Sequence, residues 1–182
     1  SKQTGLFCSS FFCIPYNGLS ISNYAFSEVG RTAKKNLDVM FNGRVNSIGA
    51  YCFQYAAYSM TGSVTMMFPN ASLDTIGSNA FYQAGYSCSG NVDMLFNCNN
   101  LSIASSAFSG AAQSSGGNVS ITFNGGVVSN IGSSAFQSAG RSGSGFFTFI
   151  ANCESAIIGS SAFSDAARDN KGVHMRFIGT IF

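Results

Sequence analysis

Phenylalanine follows a small residue at Phe26, Phe53, Phe81, Phe108, Phe136 and Phe163, at intervals of 27, 28, 27, 28 and 27. Isoleucine stands five positions before each of them, at Ile21, Ile48, Ile76, Ile103, Ile131 and Ile158. A fixed offset held through six copies is not an accident of composition. Self-similarity at a period in this range marks a solenoid, in which each repeat is one unit too small to bury its own apolar face.

Each unit has a second half. Val or Ala lies three residues past the Phe (Val29, Ala56, Ala84, Ala111, Ala139, Ala166), and a Ser/Gly/Asn-rich turn follows. Then comes an alternating apolar stretch: Leu37-Val39-Phe41, Val64-Met66-Phe68, Val92-Met94-Phe96, Val119-Ile121-Phe123, Phe147-Phe149-Ala151 and Val173-Met175-Phe177. Alternation predicts strands with one buried face. Segments such as "GSSAFQSAG" predict a short helical turn, with Ser as a cap and Phe and Ala on one face. The expected fold is a repeat solenoid, leucine-rich-repeat-like, with a parallel β-sheet on one side and short helical turns on the other. It forms one domain over 1–182, with an incomplete leading rung over 1–20 and repeats starting near 21, 48, 76, 103, 131 and 158. The crossover rule predicts a right-handed coil.

Charged residues make up 9% of the chain, against roughly a quarter in an ordinary domain, so hydroxyls and amides must cover the surface. The net charge of +2 gives no electrostatic reason to expect nucleic acid. No run approaches the ~20 apolar residues of a membrane-spanning helix. The opening "SKQTGLFCSS" lacks the basic and apolar regions of a signal peptide, so the chain reads as cytosolic, mature or a fragment. The six Cys form no CxxC, which leaves no metal or redox motif. Cys98 and Cys153 share a column two units apart, too far for a disulfide. Cys52 reads as a core thiol, and Cys8 and Cys13 could pair at the leading edge.

The pattern Ile-Gly-x-x-Ala-Phe, written in "TIGSNAFYQAG", "SNIGSSAFQSAG" and "IIGSSAFSDAA", resembles the BspA-like leucine-rich repeats of bacterial and protist surface proteins. The resemblance covers nearly the whole chain. It departs in having Ala or Val where that family usually has Cys three residues past the Phe, and in having longer units. It implies a curved solenoid displayed outside the cell, adhesion or binding, and usually no catalysis.

Two candidate surfaces follow. The outward strand positions form a ladder: Asp38 and Met40, Thr65 and Met67, Asp93 and Leu95, Ser120 and Thr122, Thr148 and Ile150, His174 and Arg176. Met40, Met67, Leu95 and Ile150 make an apolar stripe on it, which marks an interface unless a flanking segment covers it. The second surface is the column five residues past each Phe: Arg31, Tyr58, Tyr86, Gln113, Arg141 and Arg168, with Tyr55 and Tyr82 close by. Tyr and Arg combine large contact area with a polar tip. Aromatic faces beside Asn and Ser also suit sugars. The bland alternative is that Tyr merely lids the turn.

Catalysis finds little support. The one His, His174, has no acid near it in sequence. Asp38 and Asp93 stand two rungs apart, about 10 Å at sheet spacing, wider than a retaining carboxylate pair. No phosphate loop, cofactor motif or metal set is present. Asn70, Asn100 and Asn118 match the glycosylation pattern, but about three such matches arise by chance in a chain this rich in Asn, Ser and Thr.

The expected function is a non-catalytic extracellular or cell-surface binding and adhesion module, with a protein or glycan as ligand. The alternative is a structural subunit stacking end to end into a filament, through Phe12 and Ile14 at one end and Phe177 and Ile181 at the other.

Overall fold

A computed structural model describes residues 18–153 and 156–179. They form a parallel β-solenoid of about six turns, which bears out the repeat solenoid. Its strands are β1 (Leu19–Ile21), β2 (Leu37–Met40), β3 (Val45–Ile48), β4 (Val64–Ile76), β5 (Val92–Ile103), β6 (Val119–Ile131), β7 (Phe146–Asn152), β8 (Ile157–Ile158) and β9 (Gly172–Ile178). Every pairing is parallel. Phe12, Ile14, Ile181, Cys8 and Cys13 lie outside the described residues.

The register stacks like on like. Val64, Val92, Val119 and Phe147 are successive partners, and so are Ile21, Ile48, Ile76, Ile103 and Ile131. In β4, β5 and β6 one long strand carries both the alternating stretch and the repeated Ile, with a bend between them. Inward alternation is strict at the start of β4, where Val64, Met66 and Phe68 are buried and Thr65 and Met67 only half so. Two ladders of rings fill the core. Phe26, Phe53, Phe81, Phe108, Phe136 and Phe163 stack with centroids 4.7 to 5.1 Å apart. Phe41, Phe68, Phe96 and Phe123 stack opposite them, and the two ladders meet edge to face within each rung. The fifth rung trades places. Ala151 takes the position of Phe123's successor and Phe149 replaces an Ile, so the ring tilts to sit 6.0 Å from Phe123 and 5.4 Å from Phe177. Core volume is conserved by the swap.

The expected helical turns are absent, and no helix occurs among the described residues. In their place the "GSSAFQSAG" segments form a ribbon of consecutive turns in which positive φ recurs at four single positions in each rung. Tyr51, Tyr55, Ala57 and Ser59 sit at φ 53 to 57°, and the same positions are left-handed in the other rungs. The cause is the supply of backbone hydrogen bonds. A helix closes its N–H and C=O groups on itself, but a stacked rung must share them with its neighbours. Phe53, Tyr55 and Ser59 donate to Ala80, Tyr82 and Tyr86 of the next rung at 2.7, 2.9 and 2.7 Å, and Ala57 donates back to Val29 at 2.8 Å. Gln54, Ala56 and Tyr58 donate instead to the residue three before, at 3.2, 3.1 and 3.2 Å. Phe and the Ala three residues on share a face in this ribbon as they would in a helix, so their spacing does not tell the two apart.

The intervals of 27 and 28 have a structural basis. The bend between strand halves holds six residues over 42–47 and 97–102 but seven over 69–75 and 124–130. The odd residue is absorbed as an irregularity in pairing: Leu101 faces Val128, yet Ser102 faces Asn130, leaving Ser129 unopposed. One left-handed ribbon position alternates in step: Gly30, Ala57, Gly85, Ala112, Gly140, Ala167. At Gly140 a Cβ would collide with the Phe147 ring, so only glycine fits. The true repeat is therefore a doublet of 55 residues, from Phe26 to Phe81 to Phe136.

Candidate binding surface

The ribbon lies across the core from the first strand half, because its Phe rings meet those of the strand inside. Its outer side carries the column five residues past each Phe, and the structure brings that column together. The Tyr58 and Tyr86 rings stack at 4.8 Å and 7°. The Arg31 guanidinium lies 5.3 Å over Tyr58 and 5.7 Å over Tyr55. Tyr55 meets Tyr58 and Tyr82 edge to face, both at 5.6 Å. Glu28 holds Arg31 at 3.1 Å, with both side chains about half exposed. The column continues differently in the later rungs. Arg168 is paired with Asp165 at 3.2 Å and Asp169 at 3.5 Å. Arg141 is half-buried, and its Nε is enclosed without a hydrogen bond.

Sequence reasoning missed Tyr24 and Tyr51, which stack at 4.9 Å and 1° on the same ribbon. Their shared place two residues before Phe26 and Phe53 was the available signal. Tyr24, Tyr51 and Tyr55 hold φ of 60, 57 and 55°, where the later rungs place Asn, Ser, Gln, Gly or Asp. A left-handed backbone under a bulky side chain is strained by about 1–3 kcal/mol. Such strain persists where the surroundings enforce it, and it clusters at functional positions.

The tyrosine rings of the ribbon pack on one another in two ways. Tyr24 with Tyr51 and Tyr58 with Tyr86 cover one another's faces, whereas Tyr55 meets Tyr58 and Tyr82 edge to face. Only Tyr24, 58% exposed at the first described rung, opens a broad surface.

The strand ladder is placed as the spacing predicted. Asp38, Thr65, Asp93, Ser120, Thr148 and His174 form one outward row, and Met40, Met67, Leu95, Thr122, Ile150 and Arg176 the next. Phe146 stands on the same face, 51% exposed, with Lys171 Nζ 5.4 Å over its ring. Burial between Thr65 and Ser120 pushes the Asp93 carboxyl above its ordinary value.

Phe177 points inward from β9, the last described strand, and is partly buried 5.5 Å from Phe163. Cys52, Cys88, Cys98 and Cys153 are buried free thiols. Burial pushes Cys52 up to about 11, and burial with repulsion from Cys98 does the same to Cys153, which keeps both as inert thiols at neutral pH. Among the described residues no group of His, Cys, Asp and Glu could hold a metal ion, and no helix is long and apolar enough to cross a membrane. Of the Asn positions matching the glycosylation pattern, Asn70 donates to Asn42 O at 2.9 Å and Asn118 accepts from Phe146 N at 3.0 Å, so both amides are used within the fold.

No protein-family model, curated protein or solved structure matches the chain.

Proposed function

We propose that this chain is a non-catalytic binding and adhesion module, displayed outside the cell, whose contact surface is the Tyr/Arg ribbon of its first three rungs. One observation carries this reading. Six tyrosines and Arg31 gather on one strip of the exterior, three of them on a backbone that disfavours bulky side chains. A core has no use for that arrangement, because the Phe ladders beneath are complete without it. Tyr and Arg are the residues that dominate binding energy at interfaces. Phenol hydroxyls and the Arg31 guanidinium suit a ligand rich in hydrogen-bonding groups, either a glycan or a protein surface. The resemblance to BspA-like leucine-rich repeats supports the extracellular placement.

The test is a glycan array and an array of cell-surface ectodomains, probed with the wild-type chain and with Tyr58→Ala/Tyr86→Ala. Binders that lose about tenfold or more in affinity, with an unchanged circular dichroism spectrum, support the reading. Equal binding by both proteins rejects the ribbon as the site.

The second reading is end-to-end stacking. Among the described residues β9 pairs on one side only, and Val173 and Ile178 are 55% and 41% exposed on it. An unpaired apolar edge is a template for strand addition.

A further inference from the structure

We infer that the outward face of the first strand half is a self-docking surface, on which a second copy of this chain packs with its solenoid axis antiparallel. The inference is independent of the ribbon, which lies across the core from this face.

The face is flat and built in rows. Its apolar members, Met40, Met67, Leu95 and Ile150, fall in one row of the register. Met40 is 51% exposed. Charge on the outward rows is segregated by end: Asp38 on the first strand of the face, His174 and Arg176 on the last, and only Asp93 between them. That segregation selects one partner and one orientation. A two-fold axis running along the strands, between the rungs of Asp93 and Ser120, lays the face on itself with the order of rungs reversed. Asp38 of one copy then faces His174 of the other, with Arg176 two residues further along that strand, in the next row, and long enough to reach it. Met67 meets Ile150 and Leu95 meets Thr122. Each contact occurs twice, as a closed two-fold interface requires. With the axes parallel instead, Asp38 and Asp93 would face the same rungs of the other copy and gain no cation.

The remaining charges do not oppose this arrangement. Lys34 and Lys35 lie in the loop ahead of β2, outside the outward rows. Lys171 is turned over Phe146, toward the rung that would face Ser63 and Thr65. At about 3.3 Å per residue and 4.8 Å per rung, a face five residues wide and six rungs long covers about 480 Å² on each partner. That lies below a standard stable interface, so the dimer is weak and concentration-dependent. It leaves both Tyr ribbons pointing outward, which makes the pair bivalent for whatever the ribbon holds.

The experiment is sedimentation velocity on the full chain over a wide concentration series. The proteins are wild type, Asp38→Arg, Arg176→Asp, Met67→Lys and an equimolar mixture of the two charge variants. The expected result is a monomer–dimer equilibrium for wild type that stops at two. Each single variant should dissociate at least about tenfold more readily. The mixture should dimerise again, because the two charge reversals face each other at one contact and native Asp38 faces native Arg176 at the other. Three results would each overturn the inference: a wild type that stays monomeric throughout, a mixture that does not associate, or an assembly that grows beyond two and is indifferent to all three substitutions. Asp38 and Arg176 are exposed, so loss of fold does not obscure the result, and circular dichroism verifies it.

Discussion

The first three rungs and the last three share one backbone and one core, yet wear different exteriors. In the first half the ribbon carries Tyr24, Tyr51, Tyr55, Tyr58, Tyr82, Tyr86 and Arg31. In the second half the equivalent places hold Ser106, Ser134, Ser138, Gln113, Arg141 and Arg168. Beneath them the Phe stack keeps its spacing, 5.1 Å between Phe53 and Phe81 and 4.9 Å between Phe108 and Phe136. The scaffold therefore does not dictate the surface. What changes along the axis is free to be recognition, and what stays constant is packing.

The comparison can be broken most severely through the doublet. Removing 81–135 takes out one whole doublet and joins Ala80 to Phe136, so each remaining rung keeps a neighbour of the right kind. Removing 108–135 takes out one rung and sets Gly85 beside Gly140. The first variant should melt cooperatively by circular dichroism, and the second should lose cooperative folding. Equal behaviour would show that the alternation does not matter.

Next in size is the shared core. Phe81→Ala and Phe108→Ala should each cost about 3–5 kcal/mol in urea denaturation, and by similar amounts, because both rings are buried in the same stack. A large difference between them would mean that the two halves are not equivalent inside.

The surfaces come third. Gln113→Tyr should extend the Tyr58–Tyr86 stack into the second half, with a gain of about 0.5–1.5 kcal/mol in thermal unfolding. Tyr86→Ala should lose a similar amount. A destabilising Gln113→Tyr would show that the ribbon of the fourth rung cannot carry an aromatic ring.

The smallest effect is electrostatic. The folded Asp93 carboxyl titrates above its unfolded value of 3.8 because burial disfavours the charged form. The folded state therefore holds its proton more tightly, and stability falls as pH rises from that value through the folded one. Asp93→Asn should remove this fall and gain less than about 0.5 kcal/mol at neutral pH. A pH profile of unfolding identical in the two proteins would refute the burial effect.

The period, the parallel stacking and the inward residues were legible because one rung repeats the next. Ile76 and Phe81 recur at fixed offsets, and the register pairs like with like. The ribbon was not legible. Phe and Ala three apart satisfy a helical face, and nothing in residue type reveals that Tyr51 and Tyr55 take left-handed φ. That choice comes from hydrogen bonds to the neighbouring rungs, which no single repeat displays. The Tyr/Arg column was legible as a column, but which rings stack and which meet edge to face was not, because that depends on the distance between rungs.

The ribbon also gives the molecule an optical property. The chain has seven tyrosines and no tryptophan, and six of the seven stand on the ribbon of the first three rungs. Near-ultraviolet absorption and emission of the native protein therefore report almost entirely on one strip of its exterior, where stacked phenols exchange excitation with their neighbours. A ligand landing there changes that signal directly, and one landing on the sheet face leaves it nearly untouched, so the protein reports which surface is occupied without any label.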